Sequence, residues 1–235
     1  MKLDVLRRLN AVRAERRAAI LVTDPATGDA RLVVEADGYD GDPLREELAA
    51  RFRSGVSGIV EAGGKSLFMT VELPPPRLVL IGAVHISQAL APMAKIAGFD
   101  VTIIDPRTAF ATPERFPDLR LVAEWPDDAI PRIGFDEFTA VAALTHDPKI
   151  DDGALIAALR AGCFYVGALG SRKTHARRIE RLRAAGASEA SLATIHAPIG
   201  VPIGAQSPAE IAVAILAEVI SALRNRGARE KEAAA

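Results

Sequence analysis

One stretch of the chain combines glycine, a hydroxyl group and positive charge in the order that favours anion binding. It reads GALGSRK at residues 167–173 and ends an apolar run. Gly170 opens the backbone, Ser171 is a typical helix N-cap, and Arg172 adds a cation at the helix start. Because the first turn of a helix carries partial positive charge and unpaired N–H groups, this pattern predicts a phosphate site. The alternative is that the basic residues form only a solvated helix face.

A second stretch, GAVHIS at residues 82–87, stands where a dinucleotide-binding turn would stand but lacks its glycines. In a G-x-G-x-x-G turn the second glycine lets a pyrophosphate approach the backbone, and the third permits close helix packing. Val84 and Ser87 occupy these positions, so we expect a crowded approach and looser helix packing. Gly82 still allows the tight turn, and His85 follows it. The stretch is therefore either a ligand-binding turn or a plain strand-to-helix turn.

An acid and a histidine follow two further apolar runs. An acid placed as Asp105 is, roughly 20 residues beyond such a turn, usually binds a ribose hydroxyl, and Arg107 would then meet a phosphate. The alternative is that Asp105 caps a turn or pairs with Arg107. His146, beside Asp147, stands where a general base or a ligand-binding histidine is expected. The alternative is a loop histidine held by its neighbour.

The segment at residues 196–212, HAPIGVPIGAQSPAEIA, is rich in glycine and proline, which favours a shaped loop. His196 and Gly200 either line a pocket there or belong to a structural turn. The single cysteine, Cys163, excludes an internal disulfide and a cysteine-cluster metal site, and we expect it to be a small buried residue. No second histidine or glutamate stands at metal-binding helix spacing, so we predict no metal ion bound by the protein alone.

From residue 77 onward, apolar runs alternate with helical patterns. This alternation predicts an α/β fold, a Rossmann-like parallel sheet with helices on both faces. Ligands of such sheets bind outside the carboxyl ends of the strands. We expect Asp151 or Asp152 to cap the helix DGALIAALRAG, and Ser207 to cap the last helix in a capping box. The predicted strands are RLVLIG, FDVTIID, LRLVA, FTAVAALT and CFYVGALG.

The preceding part of the chain predicts a small α+β unit. The pattern runs from a helix (LDVLRRLNAVRAERRA) through a hairpin (AILVTDPATGDARLVVEA) to a second helix (PLREELAARFRS) and a strand (KSLFMTVEL). Pro74-Pro75-Pro76 is a stiff spacer. We therefore predict a small N-terminal domain at residues 1–73, a Rossmann-like domain at residues 77–226 and a disordered tail at residues 227–235.

The composition is that of an ordinary globular protein and excludes several classes. The 235 residues carry a formal net charge of −1, with 49% hydrophobic and 25% charged residues, so no overall field attracts nucleic acid or a membrane surface. The basic segment SRKTHARRIERLRAAG lacks interleaved aromatic residues, which argues against binding single-stranded nucleic acid. The N-terminus does not read as a signal peptide, and no apolar run has membrane-spanning length, so we expect a cytoplasmic protein.

Four blocks of sequence follow one another over residues 77–222: GAVHISQALAPMAKIAGFDVTIIDPR, ERFP, LTHDPKIDDGALIAALRAGCFYVGALGSRKTHARRIERL and HAPIGVPIGAQSPAEIAVAILAEVI. In this order they resemble the XdhC/CoxI family of maturation factors for molybdenum hydroxylases. Many members also carry an N-terminal Gly-Gly-Cys-Val-Glu segment, where this chain reads SGIVEAGGKSL. The family motifs match Gly82, Ala83 and His85; Thr145, His146 and Asp147; Gly170, Ser171 and Arg172; and His196, Pro198, Ile199 and Gly200.

The resemblance implies a Rossmann-like domain behind a smaller N-terminal domain, and a homodimer. It implies binding of the molybdenum cofactor, molybdopterin in its mono- or dinucleotide form. It further implies help in exchanging the cofactor's equatorial oxygen for sulfur, with a cysteine desulfurase as partner. The recipient would be the apoenzyme of a xanthine dehydrogenase or a carbon monoxide dehydrogenase. The candidate cofactor-binding residues are Gly82, His85, Asp105, Arg107, His146, Asp147, Gly170, Ser171, Arg172, His196 and Gly200.

The first functional hypothesis is therefore a non-catalytic cofactor chaperone. The second is an NAD(P)-dependent oxidoreductase that binds its cofactor through Asp105 and places a hydride acceptor near His85 or His146. The third is a nucleotide-binding regulatory module that contacts a partner protein without carrying a cofactor.

Overall fold

The computed structural model describes residues 2–226, and the predicted tail at residues 227–235 lies outside them. The chain forms two compact units, one ending at Pro74 and the other beginning at Pro75. None of the helices within residues 2–226 is long and apolar enough to cross a bilayer.

The first unit is an antiparallel sheet with two α-helices. The sheet has the strand order β2-β1-β4-β3. The predicted helices and hairpin are confirmed, but β3 was not predicted. It pairs with β4, and a turn of Gly63 and Gly64 connects the two strands. Both glycines have a positive φ (59° and 75°), as a tight two-residue hairpin turn requires. The elements are α1 (Leu3–Ala14), β1 (Ala19–Thr23), β2 (Ala30–Val34), α2 (Arg45–Ser54), β3 (Gly58–Ala62) and β4 (Lys65–Glu72).

The second unit alternates strands and helices. All five predicted strands are present, and the structure adds α4, the short α7 and β10, which were not predicted. The elements are β5 (Arg77–Ile81), α3 (His85–Ile96), β6 (Asp100–Ile104), β7 (Arg120–Val122), α4 (Pro126–Ile133), β8 (Thr139–Ala143), α5 (Pro148–Arg160), β9 (Tyr165–Ala168), α6 (Arg172–Ala184), α7 (Glu189–Leu192), β10 (Ile195–His196) and α8 (Pro208–Arg224).

Six strands of this unit form a parallel sheet in the order β10-β9-β8-β5-β6-β7. The chain runs outward from β5 through β6 to β7, then crosses back to β8 on the other side of β5. This is the strand order of dinucleotide-binding folds, and the predicted fold class is confirmed. The order reverses between β5 and β8, and ligands of open α/β sheets bind at that reversal, outside the strands' carboxyl ends.

Helices cover both faces of the sheet because β5 is apolar on both sides. Leu78 and Leu80 pack in one buried cluster with residues of α3 and α8. Val79 and Ile81 pack in a second cluster with residues of α4, α5 and α6. Alternate side chains of a strand point to opposite faces, so the continuous apolar run of β5 supplies both layers of the core.

Two helix caps decide where the polar loops end. The capping box of α8 is confirmed, with Ser207 accepting from the N–H of Glu210. The predicted cap of α5 was wrong: Asp147 is the N-cap and accepts from the N–H of Lys149, and Pro148 is the first helical residue. Proline favours that position because it lacks the N–H group that would stay unpaired there. Asp151 lies one turn further on and is buried.

Candidate functional site

Two loops meet where the strand order reverses, one after β5 and one after β8. Gly82 has a φ of 118°, and a Cβ atom there would lie 2.7 Å from Cγ2 of Thr145. The left-handed backbone and the close approach both require glycine. The structure therefore brings the Gly82 turn and the loop of Thr145 and His146 together, as the positions of their strands predict.

Asp105 holds the Gly82 turn from the carboxyl end of β6. Its buried carboxylate accepts hydrogen bonds from the N–H of Ala83 (2.7 Å) and the N–H of Arg107 (2.9 Å). The guanidinium of Arg107 adds bonds through Nε (2.9 Å) and Nη2 (2.7 Å). Burial alone would raise the pKa of Asp105, but these hydrogen bonds outweigh it, and the pKa lies below its usual value. Of the two roles predicted for Asp105, these contacts belong to the acid that caps a turn.

The first turn of α3 is tied down rather than loosened. Ser87 is fully buried, and its hydroxyl donates to the carbonyl of Gly82 (2.5 Å). The expected looser packing was wrong, because the hydroxyl of Ser87 is buried between the helix and the turn and joins them by this hydrogen bond. Val84 is the N-cap residue of α3, and His85, the first helical residue, is exposed to solvent.

The loop after β8 presents His146 beside the start of α6. The backbone of His146 is left-handed, with a φ of 65°, and its N–H donates to Oδ2 of Asp151 (3.0 Å). The hydroxyl of Thr145 donates to the other oxygen of Asp151 (2.6 Å). His146 is thus held through Asp151, whereas its neighbour Asp147 caps α5. A Cβ atom on Gly170 would lie 3.7 Å from Nδ1 of His146, so these two predicted residues are also adjacent.

The start of α6 has the predicted cap. Ser171 is the N-cap, and its hydroxyl accepts from the N–H of Thr174 (3.2 Å). Gly170 has a φ of 138°, which only glycine adopts readily. Arg172 is the first helical residue and is exposed.

A pocket of about 360 Å³ lies between the first turns of α5 and α6. We call it the α5–α6 pocket. Arg172 does not line it. The lining residues are His146, Pro148, Asp151, Asp152, Lys173, Thr174, Arg177, Arg178 and Arg181.

Arg178, one of the basic residues of α6, is buried and does not belong to a solvated helix face. It is 2% exposed, and its Nη2 donates to the carbonyl of Leu169 (2.9 Å). Its Nε and Nη1 are buried without a hydrogen-bond partner among residues 2–226. Oδ2 of Asp151 lies 3.9 Å from Nη2 of Arg178. Burial raises the pKa of Asp151 and lowers the pKa of Arg178. The spacing of Thr174, Arg178 and Arg181 is that of one helix face, which was the available signal.

His196 lies on β10, the edge strand beside β9, and Gly200 lies close to it. Glu218 of α8 joins them: its Oε1 bonds to Nδ1 of His196 (2.9 Å), and its Oε2 accepts from the N–H of Gly200 (2.8 Å). The hydroxyl of Tyr165 also donates to Oε2 (2.6 Å), and its ring centroid lies 4.6 Å from that of His196. Glu218 was missed, since an acid in an apolar helix gives no local sign of its partners.

Known proteins resemble this chain in sequence and in fold. A family model described as the XdhC Rossmann domain matches residues 78–219. The chain is 35% identical over 69% of its length to the Escherichia coli protein YqeB. Over 63% of its length it is 32% identical to a Bacillus subtilis protein described as a probable xanthine dehydrogenase subunit. Over the same share it is 33% identical to the molybdenum cofactor insertion chaperone PaoD of Escherichia coli.

The chain spans less than half the length of these curated relatives: 30% of YqeB, 43% of the Bacillus subtilis protein and 40% of PaoD. A crystal structure described as a xanthine dehydrogenase from Bacillus halodurans has a similar fold. The match has a TM-score of 0.69 at 22% identity and covers 96% of this chain and 68% of the other.

Proposed function

The chain belongs to the XdhC family, and we propose from this that it binds the molybdenum cofactor and assists the maturation of a molybdenum hydroxylase. Relatives described as a cofactor insertion chaperone and as part of a xanthine dehydrogenase support the proposal. The observation that carries it is the convergence of three family motifs, those of Gly82, His146 and Gly170, at the carboxyl ends of the neighbouring strands β5, β8 and β9.

The chemistry of these strand ends suits the cofactor, a pterin that ends in a phosphate. Gly82 and Gly170, both at positive φ, form the turns that follow β5 and β9, and His85, three residues after Gly82, is exposed. Ser171 and Arg172 stand at the start of α6, where a helix favours an anion. In the proposal these residues bind the cofactor together with His146.

The remaining candidate residues take supporting roles. Asp105 and Arg107 fix the Gly82 turn, and Asp147 fixes the start of α5. His196 and Gly200, joined through Glu218, shape the loop that leads into α8. A supporting role predicts that changes at these positions alter stability more than affinity.

The proposed role in sulfuration is that of a carrier. Burial, with the nearby charge of Asp136, raises the pKa of the Cys163 thiol to about 12, so the thiol stays protonated at neutral pH. Because the thiolate is the nucleophile in sulfur chemistry, Cys163 is a poor acceptor of sulfur. In the proposal the sulfur comes from a cysteine desulfurase, and the loaded carrier, as a homodimer, meets a hydroxylase apoenzyme.

The rival proposal, an NAD(P)-dependent oxidoreductase, requires a free acid at Asp105. Both oxygens of that carboxylate already accept two hydrogen bonds each. A ribose hydroxyl would have to displace one of these bonds. Val84 also occupies the position where a dinucleotide fold needs glycine, so its side chain crowds the approach of a pyrophosphate.

Anaerobic titration distinguishes the two. We expect the purified chain to bind released molybdenum cofactor and not NADPH. Arg172→Ala and His146→Asn should each weaken cofactor binding about tenfold, the effect of one charge-assisted hydrogen bond. Asparagine is chosen at position 146 because it tolerates a left-handed backbone.

Arg160→Ala is the matched control, since Arg160 is an exposed arginine at the opposite end of α5. Binding of NADPH with turnover, and no binding of the cofactor, would contradict the proposal. Binding of neither ligand would favour a regulatory module.

A further inference from the structure

The α5–α6 pocket combines two helix starts with a cluster of basic side chains. Pro148 and Asp151 belong to the first turn of α5, and Lys173 and Thr174 to the first turn of α6. Each helix start carries partial positive charge from its unpaired N–H groups. The backbone field of both helices therefore favours an anion in this pocket.

Arg178 lines the pocket, and only its Nη2 has a hydrogen-bond partner, the carbonyl of Leu169. Its buried Nε and Nη1 have no acceptor among residues 2–226. Asp151 does not supply one: its approach to the guanidinium is 3.9 Å, from Oδ2 to Nη2, and both its oxygens accept from the loop of Thr145 and His146. Unpaired buried guanidinium groups are costly, and native proteins rarely keep them without a function. An anion in the pocket would supply the missing acceptor.

The charges around the pocket do not cancel. Four cations, Lys173, Arg177, Arg178 and Arg181, face two acids, Asp151 and Asp152, which leaves a surplus of two positive charges. Arg181 and Asp152 neutralise one another through a hydrogen-bonded ion pair. Within residues 2–226 no acid lies within ion-pair distance of Lys173 or Arg177. A surplus of two charges matches the charge of a phosphate dianion.

We propose that the α5–α6 pocket is a phosphate-binding site in which Lys173 and Arg177 provide the charge and the buried Arg178 provides fixed donors. Its ligand class is a phosphate monoester, and His146 connects the pocket to the carboxyl ends of the strands. The assignment of that phosphate to the molybdenum cofactor rests on the proposed function. The pocket itself is defined by its own residues and is tested with inorganic phosphate.

The test is calorimetric titration of the full chain with inorganic phosphate at constant ionic strength. We expect saturable binding of one phosphate, weakened about tenfold by Lys173→Ala and about tenfold by Arg177→Ala, since each removes a charge-assisted contact. Arg183→Ala is the matched control, because Arg183 is an exposed arginine of α6 outside the pocket. It should bind phosphate as the wild type does.

Arg178→Gln tests the buried donors, and its folding is checked by circular dichroism. If Arg178→Gln unfolds the chain, the two exposed positions still decide the question. Absence of phosphate binding to the wild type would overturn the proposal. So would equal weakening by Arg183→Ala and Arg177→Ala, because it would indicate a diffuse attraction to the basic helix.

The two proposals fail separately. Phosphate binding that depends on Lys173 and Arg177, in a chain that does not bind the cofactor, would refute the proposed function and keep the phosphate site. Cofactor binding that phosphate does not displace, and that Lys173→Ala and Arg177→Ala leave unchanged, would refute the phosphate site and keep the proposed function.

Discussion

Replacing Asp105 with asparagine separates a turn-holding acid from a ligand-binding one. Each oxygen of the carboxylate accepts from one backbone N–H, that of Ala83 or that of Arg107, and from one nitrogen of the Arg107 side chain. An asparagine side chain keeps one acceptor oxygen and turns an NH2 group toward the other pair of donors. In either orientation, one backbone N–H therefore loses its acceptor.

The expected cost follows from burial. Asp105 is fully buried, so an unpaired donor beside it costs about 1–3 kcal/mol. The lost attraction to Arg107, whose side chain is 35% exposed, adds about 1 kcal/mol after solvent screening. We expect Asp105→Asn to lower the free energy of unfolding by about 2–4 kcal/mol.

The assay is urea unfolding followed by the fluorescence of Trp125, the single tryptophan of the chain, which reports on the second unit. Asp100→Asn is the matched control, because Asp100 is an exposed acid at the start of β6, the strand that Asp105 follows, and its effect should stay within about 0.5 kcal/mol. Equal stability of the two variants would refute a turn-holding Asp105. If Asp105→Asn instead kept its stability and lost NADPH binding, the nucleotide proposal would be correct.

Two further substitutions test the packing that shapes the site. Gly82→Ala should destabilise the chain by about 2–4 kcal/mol through backbone strain and the contact with Thr145, whereas Gly98→Ala, also at positive φ but with open space around it, should show only the strain, about 1–2 kcal/mol. Equal losses of unfolding free energy in the two variants would argue against close contact between the loops after β5 and β8. Glu218→Gln should lower the free energy of unfolding at neutral pH by about 1–3 kcal/mol. Burial would raise the pKa of Glu218, but its hydrogen bonds hold that pKa below its usual value of 4.5. The stabilisation is therefore fully present above pH 4.5 and disappears as the pH falls through the lowered pKa. A stability difference between wild type and Glu218→Gln that did not shrink on acidification would contradict this assignment.

Local signals in the sequence predicted most of the fold, because each depends on a few neighbouring residues. The capping box at Ser207, the cap at Ser171 and the alternation of strands and helices are signals of this kind. The Gly63-Gly64 hairpin carried such a signal as well, but it was missed. Pro148 also indicates the start of α5, because proline favours the first helical position, but the prediction placed the cap at Asp151 or Asp152.

The candidate site was less predictable, because its contacts join distant parts of the chain. Asp105 after β6 contacts Ala83 after the neighbouring strand β5, and Glu218 of the last helix contacts His196. The spacing of Arg178 places it on one helix face with Thr174 and Arg181, but nothing in the sequence shows that its side chain is buried. Its burial depends on how α6 packs beside α5.

The most direct test of the central claim is the retention of cofactor by the chain. The wild type is incubated anaerobically with molybdenum cofactor and desalted, and its molybdenum and pterin contents are measured. The same is done with the Lys173→Ala/Arg177→Ala double variant and with Arg183→Ala. We predict about one cofactor per chain for the wild type and for Arg183→Ala, and at least a tenfold loss in the double variant. Equal retention by all three chains, or retention by none, would contradict a carrier that holds the cofactor by its phosphate in the α5–α6 pocket.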